Sequence, residues 1–284
     1  MRRALELDEE RQAMATLVKL TGAFEGIASL HIAQIRDQVL ASQQFFGDLW
    51  HIYKQLRVDQ MFRFGRLQTG AKPVNKELMI LITSNGSFSG DIDHRLVEAA
   101  LGQYDPAKSD VVVIGRHGAL LLGQKGVDYS RSFAAPENDL RINTAPLVEA
   151  VKRYKSTVVY YEQYQSLMSQ QVSKIQLSEA VIARGSRVGE DRGQIIDEST
   201  YIFEPSVHAV VGHLESSMMQ ISLSEVILES KLAQYASRFR AMSLAEERAS
   251  DALGDINLHL SRARRYEKDE RLKEIINGLR GVKT

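Results

Sequence analysis

Three stretches of this chain carry residue types that could do chemistry, and each falls short of the pattern its chemistry needs. The first is TSNGSFSG, Thr83 to Gly90, which follows a short apolar run from Leu78 to Ile82 and precedes Asp91 and Ile92. A strand, a glycine loop and a helix capped by Asp91 would present backbone N–H groups to a phosphate. The loop is not G-x-G-x-x-G, because Gly86 and Gly90 sit four apart. It is not a nucleophile elbow either, since that motif needs serine at its centre and Phe88 stands there. The second stretch is Gly118 to Lys125, GALLLGQK. A phosphate loop needs lysine directly after its second glycine and then Ser or Thr for magnesium. Here Gln124 intervenes and Gly126 follows, so the LLL run is read as a buried face. The third is the scattered histidine set. His208 and His213 are five apart, off one helical face, and neither belongs to an H-E-x-x-H zinc pair. Asp91 and Asp93 alternate without the further oxygen ligands of a calcium loop. With no cysteine in the chain, thiol catalysis and disulfides are excluded. No catalytic residue, cofactor site or metal site is expected.

The elements that would position these residues follow from proline and from periodicity. All five prolines lie between Pro73 and Pro205, so both ends are free to form long helices. Counting in sevens from Val207 gives Leu214, Ile221, Leu228, Tyr235, Met242, Ala249, Ile256 and Ala263, all apolar or aromatic. The interleaved set is Val211, Met218, Glu225, Leu232, Phe239, Glu246, Leu253 and Leu260. A period of seven sustained this long argues for a left-handed coiled coil. The N-terminal arm repeats it with Leu7, Met14, Thr21, Ala28, Ile35, Ser42, Leu49 and Leu56, and with a second stripe of Leu17, Phe24, Ile32, Val39, Phe46 and Tyr53. The simplest partner for one arm is the other, running antiparallel. The plainer alternative is two helices packed on the insert as an ordinary domain.

Between the arms, ILIT, VVVIG and TVVYY read as strands. The expected order is strand 77–83, helix 92–102, strand 110–114, helix 116–125, helix 144–154, strand 156–161 and helix 162–172, with a polar loop at 183–199. The fold class is therefore a two-helix antiparallel coiled coil with a small Rossmann-like α/β middle domain. Its parts are a helix at 1–60, an α/β domain at 74–200 and a helix at 205–284. The 36 basic and 36 acidic side chains of the 284 residues cancel, so no net field draws nucleic acid or anionic lipid. The start, MRRALELDEERQ, lacks the apolar core of a signal peptide, and no run is read as reaching the roughly 20 apolar residues that span a bilayer. The expectation is a soluble intracellular protein.

Five stretches, in order, resemble the gamma subunit of the F-type rotary ATP synthase. LVKLTGAFEGIASLHIAQ (Leu17–Gln34) is similar to that family's K-I-T-x-A-M-x-x-V-A-x-x-K-L. TSNGSFSG stands in register with its T-D-R-G-L-C-G loop. YIFEP (Tyr201–Pro205) matches Tyr-x-Tyr-Glu-Pro. SRFRAMSLAEERASDALGDI (Ser237–Ile256) and SRARRYEKDERLKEIINGLRGV (Ser261–Val282) resemble its C-terminal arm. The departures are Ser84-Asn85 for Asp-Arg and Phe88-Ser89 for Leu-Cys in the loop. On the first arm Gly22, Glu25 and His31 replace basic residues and Phe24 replaces methionine. Arg265 replaces glutamine near the end.

The resemblance implies a non-catalytic rotor shaft. Its partners would be the alpha and beta subunits, one shaft per alpha3beta3 hexamer, an epsilon-type rotor subunit and the membrane c-ring, without nucleic acid or direct bilayer insertion. Its place would be the inner, cytoplasmic face of an energy-transducing bacterial membrane. Tyr201, Phe203 and Glu204 would meet the ring. Phe24, Arg238, Met242, Arg264 and Arg265 would meet the hexamer. Ser84, Asn85, Gly86 and Gly90 would face the small rotor subunit. Two alternatives share the architecture: the shaft of a hydrolysis-only rotary ATPase, and a coiled-coil adaptor whose α/β insert binds a ligand.

Overall fold

The computed structural model describes residues 4–55, 74–86, 89–136, 142–179, 181, 204 and 206–281. The element order is α1 (Ala4–Gln55), β1 (Val74–Ile82), α2 (Ile92–Leu101), β2 (Ser109–Ile114), α3 (Arg116–Gln124), β3 (Arg131–Phe133), α4 (Ala145–Val151), β4 (Tyr154–Tyr164), β5 (Gln170–Gln176) and α5 (Val207–Gly281). The two proline-free ends are single helices of 52 and 75 residues. The chain divides into two compact units, residues 29–238 and residues 1–28 with 239–284.

The larger unit is built on a sheet of order β3-β2-β1-β4-β5. β1 pairs in parallel with β2 (Met79 with Val111, Leu81 with Val113) and with β4 (Leu81 with Tyr160). β3 adds in parallel to β2, and β5 closes the other edge antiparallel to β4. The apolar runs of the strands are buried on both faces, as a covered parallel sheet requires. Leu78, Ile80, Ile82, Val112, Ile114, Val159 and Tyr161 face one core. That core also holds Phe46, Trp50 and Tyr53 of α1, Leu147 and Val148 of α4, and Leu214, Met218, Leu223 and Ile227 of α5. Met79, Leu81, Val111, Val113 and Tyr160 face the other, against Leu96 and Val97 of α2 and Leu121 and Leu122 of α3. Thus α1 and α5 form a layer of this domain, as the plainer alternative had it, as well as a helical pair.

In the smaller unit the two helices pair antiparallel. The Ala4 N–H donates to Glu267 Oε1, Arg264 Nη2 meets Asp8 Oδ1 at 3.2 Å, and Gly22 lies against the Glu246 carboxylate. Leu7, Thr21 and Ala28 from α1, with Met242, Ala249, Ile256, Leu260 and Ala263 from α5, are buried along the seam. These follow the sevens counted above.

The structure corrects four expectations. Leu17 and Phe24 are 44% and 41% exposed; the second seam position falls one residue later, on the half-buried Val18 and Glu25. The reason is apolarity on two faces of α1: Leu17, Leu20, Phe24 and Ile27 form a second stripe, exposed, with the same 3–4 spacing. The same property makes Ala4–Ile35 long and apolar enough, by length and composition, to cross a membrane, where the sequence reading found no such run. Residues 162–172 are not a helix. β4 continues to Tyr164, and 165–169 turn into β5, the turn held by Gln165 and Ser166 N–H bonds to the Ser169 carbonyl. Tyr164, Leu167, Met168 and Val172 stand at helical spacing, although the chain turns between them. Asp91 stands at the N-cap of α2 but makes no side-chain cap bond. The loop read at 183–199 lies outside the described residues.

Candidate functional site

The crossover through α2 carries the chain from β1 to one side of the sheet. The crossover through α4 returns it to the other side, on β4. The C-terminal ends of β1 and β4 therefore flank a topological switch point, where open α/β sheets hold ligands. The TSNGSFSG loop leaves β1 at this point.

The polar side chains of Thr83, Ser84 and Asn85 turn inward. Asp93, fully buried on α2, accepts from the Ser84 backbone N–H (3.1 Å) and from Ser84 Oγ (2.6 Å), and its Oδ2 is 2.7 Å from His117 Nδ1. The order is serine, acid, histidine. A nucleophilic triad needs the base between the serine and the acid, so this arrangement fastens the loop rather than activating Ser84. Asn85 clamps a second segment: its Nδ2 donates to the Ala135 carbonyl at 2.7 Å and its Oδ1 accepts the Ala135 N–H at 3.0 Å. Gly90 adopts φ +69°, with Ser237 Oγ 3.4 Å from where a Cβ would stand.

Helix α5 fills the crevice. Ser230 Oγ accepts the Glu162 N–H and lies 3.5 Å from the Ile82 carbonyl, Lys231 Nζ donates to the Pro136 carbonyl at 2.6 Å, and Ser237 Oγ donates to the Ser89 carbonyl at 2.6 Å. Beneath it lies Glu162 of β4, fully buried. Burial pushes its carboxyl well above the usual range, and the neighbouring Asp93 adds to the effect.

The GALLLGQK stretch is also explained. A phosphate cradle places its glycines before a helix N-terminus, at the positive end of the dipole. Here the stretch lies inside α3, and Lys125 stands at the helix's C-terminal end. Gly118 serves packing instead: its N–H donates to Thr83 Oγ1 at 3.0 Å, and a Cβ there would stand 2.5 Å from that oxygen. Among the described residues, no group of three or more His, Cys, Asp or Glu gathers to hold a metal.

Of the residues expected to matter, Ser84, Asn85, Gly86 and Gly90 come together at the C-terminal end of the central strand β1. Arg238 joins them: its guanidinium lies 5.6 Å from the Tyr235 ring centroid, and its Nη2 is 3.8 Å from a Cβ position on Gly86. The Tyr235 ring stacks on His31 of α1 at 4.5 Å. Met242 is buried in the helical seam, Phe24 sits on the exposed stripe, Arg264 pairs with Asp8, and Arg265 and Glu204 are exposed. Tyr201 and Phe203 lie outside the described residues. The sequence reading missed Glu162, Ser230, Gln234 and the Thr83–Gly118 contact. A lone glutamate inside TVVYYEQ was the available signal for the first.

In the seam, Glu25 faces Glu246. Partial burial, and then the hydrogen bond and charge of Glu246, raise the Glu25 carboxyl above its ordinary value. Gly22 leaves the space beside that carboxylate.

Known proteins are similar to this chain in sequence and in fold. The chain is 23% identical over 291 residues to an ATP synthase gamma chain of Chloroherpeton thalassium, covering 96% of each. It is 23% identical over 281 residues to that of Geobacter sp. (strain M21), covering 93% of each. Its fold resembles a chain in the central stalk and c-ring structure of the Tetrahymena thermophila mitochondrial ATP synthase. There the TM-score is 0.56 and the identity 16%, over 80% of this chain and 99% of that one. The match to the ATP synthase family extends over residues 5–282, and the chain belongs to that family.

Proposed function

We propose that this chain is the gamma-type central-stalk subunit of an F-type ATP synthase, a rotor that couples turning of a membrane ring to ATP synthesis or hydrolysis in an alpha/beta hexamer. The observation that carries this reading is the antiparallel pair of α1 and α5 in a chain that belongs to the ATP synthase family and is collinear with gamma chains over nearly its full length. The chain contributes no catalytic group; its task is to be stiff and asymmetric. The buried seam supplies stiffness. The exposed stripe Leu17, Leu20, Phe24 and Ile27, with Arg265, supplies a surface for the hexamer, and Met242 supports that surface from within the seam. Arg264, tied to Asp8, stiffens the pair at the same end. Arg238, half-buried beside the Gly86 loop, transmits hexamer contacts to the sheet. Tyr201, Phe203 and Glu204 face the c-ring, and the loop of Ser84, Asn85, Gly86 and Gly90 presents its backbone to an epsilon-type subunit. The complex sits on the cytoplasmic face of an energy-transducing bacterial membrane. The occupied switch point favours this reading over a ligand-binding adaptor, because Ser230, Lys231 and Ser237 stand where the ligand would go.

Co-expression with the alpha and beta subunits of the same organism tests it. Native mass spectrometry of the purified assembly should show one copy of this chain per hexamer. Equal copies of all three chains, or no co-purification, would sink the proposal.

A further inference from the structure

Glu162 is a buried ionisable group to which the stalk reading gives no part. Its relative exposure is 0%, and among the described residues no partner of good hydrogen-bonding geometry reaches either carboxyl oxygen. The groups facing it come from four elements. The loop and α2 supply Ser84, Asp93 and, farther out, Arg95, whose Nη2 is engaged with the Gln170 carbonyl. Helix α3 supplies His117, spent on Asp93. Helix α5 supplies Ser230 and Gln234, which bond to each other at 3.3 Å. The hydroxyl, backbone and imidazole donors of the cluster converge on Asp93; near the Glu162 carboxyl stand only the Gln234 amide, which favours its charged form, and Asp93 itself, which together with burial opposes it. Two adjacent carboxylates in a dry enclosure cannot both carry charge without a counter-charge, and the buried one with the fewer donors takes a proton instead.

We propose that Glu162 is a proton-binding site whose bound proton holds the C-terminal end of the sheet to α5. The Glu162 backbone N–H donates to Ser230 Oγ, and Ser230 in turn lies against Ile82 and Gln234. Loss of the proton to solvent leaves a carboxylate beside Asp93. The repulsion acts on β4 and α2 where α5 is docked, so the junction of residues 83–86 and 89–91 with 230–237 loosens as pH rises. This does not depend on the chain being a rotor.

The test uses the full chain. Infrared spectra at neutral pH should show the carbonyl stretch of a protonated buried carboxyl, and Glu162→Gln should remove it. Hydrogen exchange, corrected for intrinsic rates, should show opening of 84–91 and 226–238 rising with pH, by at most about tenfold per pH unit for one proton. In Glu162→Gln it should be flat. If that variant does not fold, wild-type chain labelled with carbon-13 at the glutamate carboxyl gives the same reading, as one resonance at the protonated position at neutral pH. Absence of both the band and the resonance would overturn the proposal. So would opening that ignores pH in the wild type, or a carboxyl signal that moves with added sodium or magnesium at fixed pH, which would mean a bound cation.

Discussion

Replacing Gly118 by alanine sets two effects of opposite sign against each other. Gly118 is the third residue of α3, and in a helix interior alanine is favoured over glycine by about 1 kcal/mol. Propensity alone therefore makes Gly118→Ala stabilising. The structure says otherwise. The new methyl would stand 2.5 Å from Thr83 Oγ1 and 2.7 Å from its Cγ2. Thr83 cannot swing away cheaply. It is fully buried, its N–H and Oγ1 both donate to the Ile114 carbonyl at 2.8 Å, and Oγ1 accepts the Gly118 N–H. Overpacking of this kind costs about 1–3 kcal/mol, and each hydrogen bond given up costs about 0.5–1.5 kcal/mol more. Sterics win, and the net expectation is a loss of about 2 kcal/mol. The assay is urea unfolding followed by Trp50, the chain's single tryptophan, which lies in the core of the same unit as Gly118. The midpoint should fall in Gly118→Ala. In a Thr83→Ala background the same change should cost at least about 1 kcal/mol less, because the colliding atoms are gone. A midpoint that stays or rises in the single variant would refute the claim that this glycine exists for close packing.

Three further outcomes follow from the same geometry. Ser237→Ala removes the 2.6 Å bond to the Ser89 carbonyl, and should cost about 1 kcal/mol and raise hydrogen exchange around residues 89–91; unchanged exchange there would show that the loop is held without α5. Glu25 has its carboxyl raised by partial burial and by Glu246, so the folded pair binds its proton more tightly than the unfolded chain does. Stability of the helical pair should therefore be fullest at acid pH and decline as pH rises from the ordinary glutamate value toward the raised one, and circular dichroism melts of Glu25→Gln should lose that slope. Calorimetric titration of the full chain with ATP and magnesium should give no heat of binding, since the glycine stretch lies within α3 with its lysine at the wrong end; micromolar affinity that Lys125→Ala abolishes would contradict this placement.

What the sequence disclosed was whatever a period can disclose. The count in sevens from Val207 found Leu214, Leu228, Met242, Ala249, Ile256 and Ala263, all buried. The β-branched runs found β1, β2 and β4 because a strand buried on both faces is a plain apolar string. It did not find the second life of α5. From Val211 to Ala236 burial reaches nearly round the helix, whereas beyond Phe239 it returns only at seam positions. A heptad marks one apolar stripe and says nothing about a neighbour on another side. For the same reason Leu17 and Phe24 were placed in the seam: on a helix with two apolar stripes, residues one position apart both satisfy a period of seven. β3, three residues with little apolar content, lies below what pattern can detect, and the site clusters by crossover, joining residues such as Glu162 and Asp93 that no local motif relates.

The polar residues of α5 make the same point from the other side. Read as a coiled coil, Glu225 interrupts the apolar repeat, and Ser230, Lys231, Gln234 and Ser237 fall between its positions, where such a helix meets water. Most are buried, and burial without partners would cost about 1–3 kcal/mol apiece. Partners are what the C-terminal end of the sheet offers. The carbonyl of Ile82 closes β1, and those of Ser89 and Pro136 lie in the segments beyond the strands, acceptors that a bound ligand would otherwise have to satisfy or solvent would reach. Ser230, Ser237 and Lys231 supply the matching donors. The polar set of α5 is thus the complement of an α/β crevice, written into a helix whose remaining residues specify a coiled coil. An α5 with apolar residues at those positions would leave those carbonyls unmet; the polar one ties the helix to the end of the sheet.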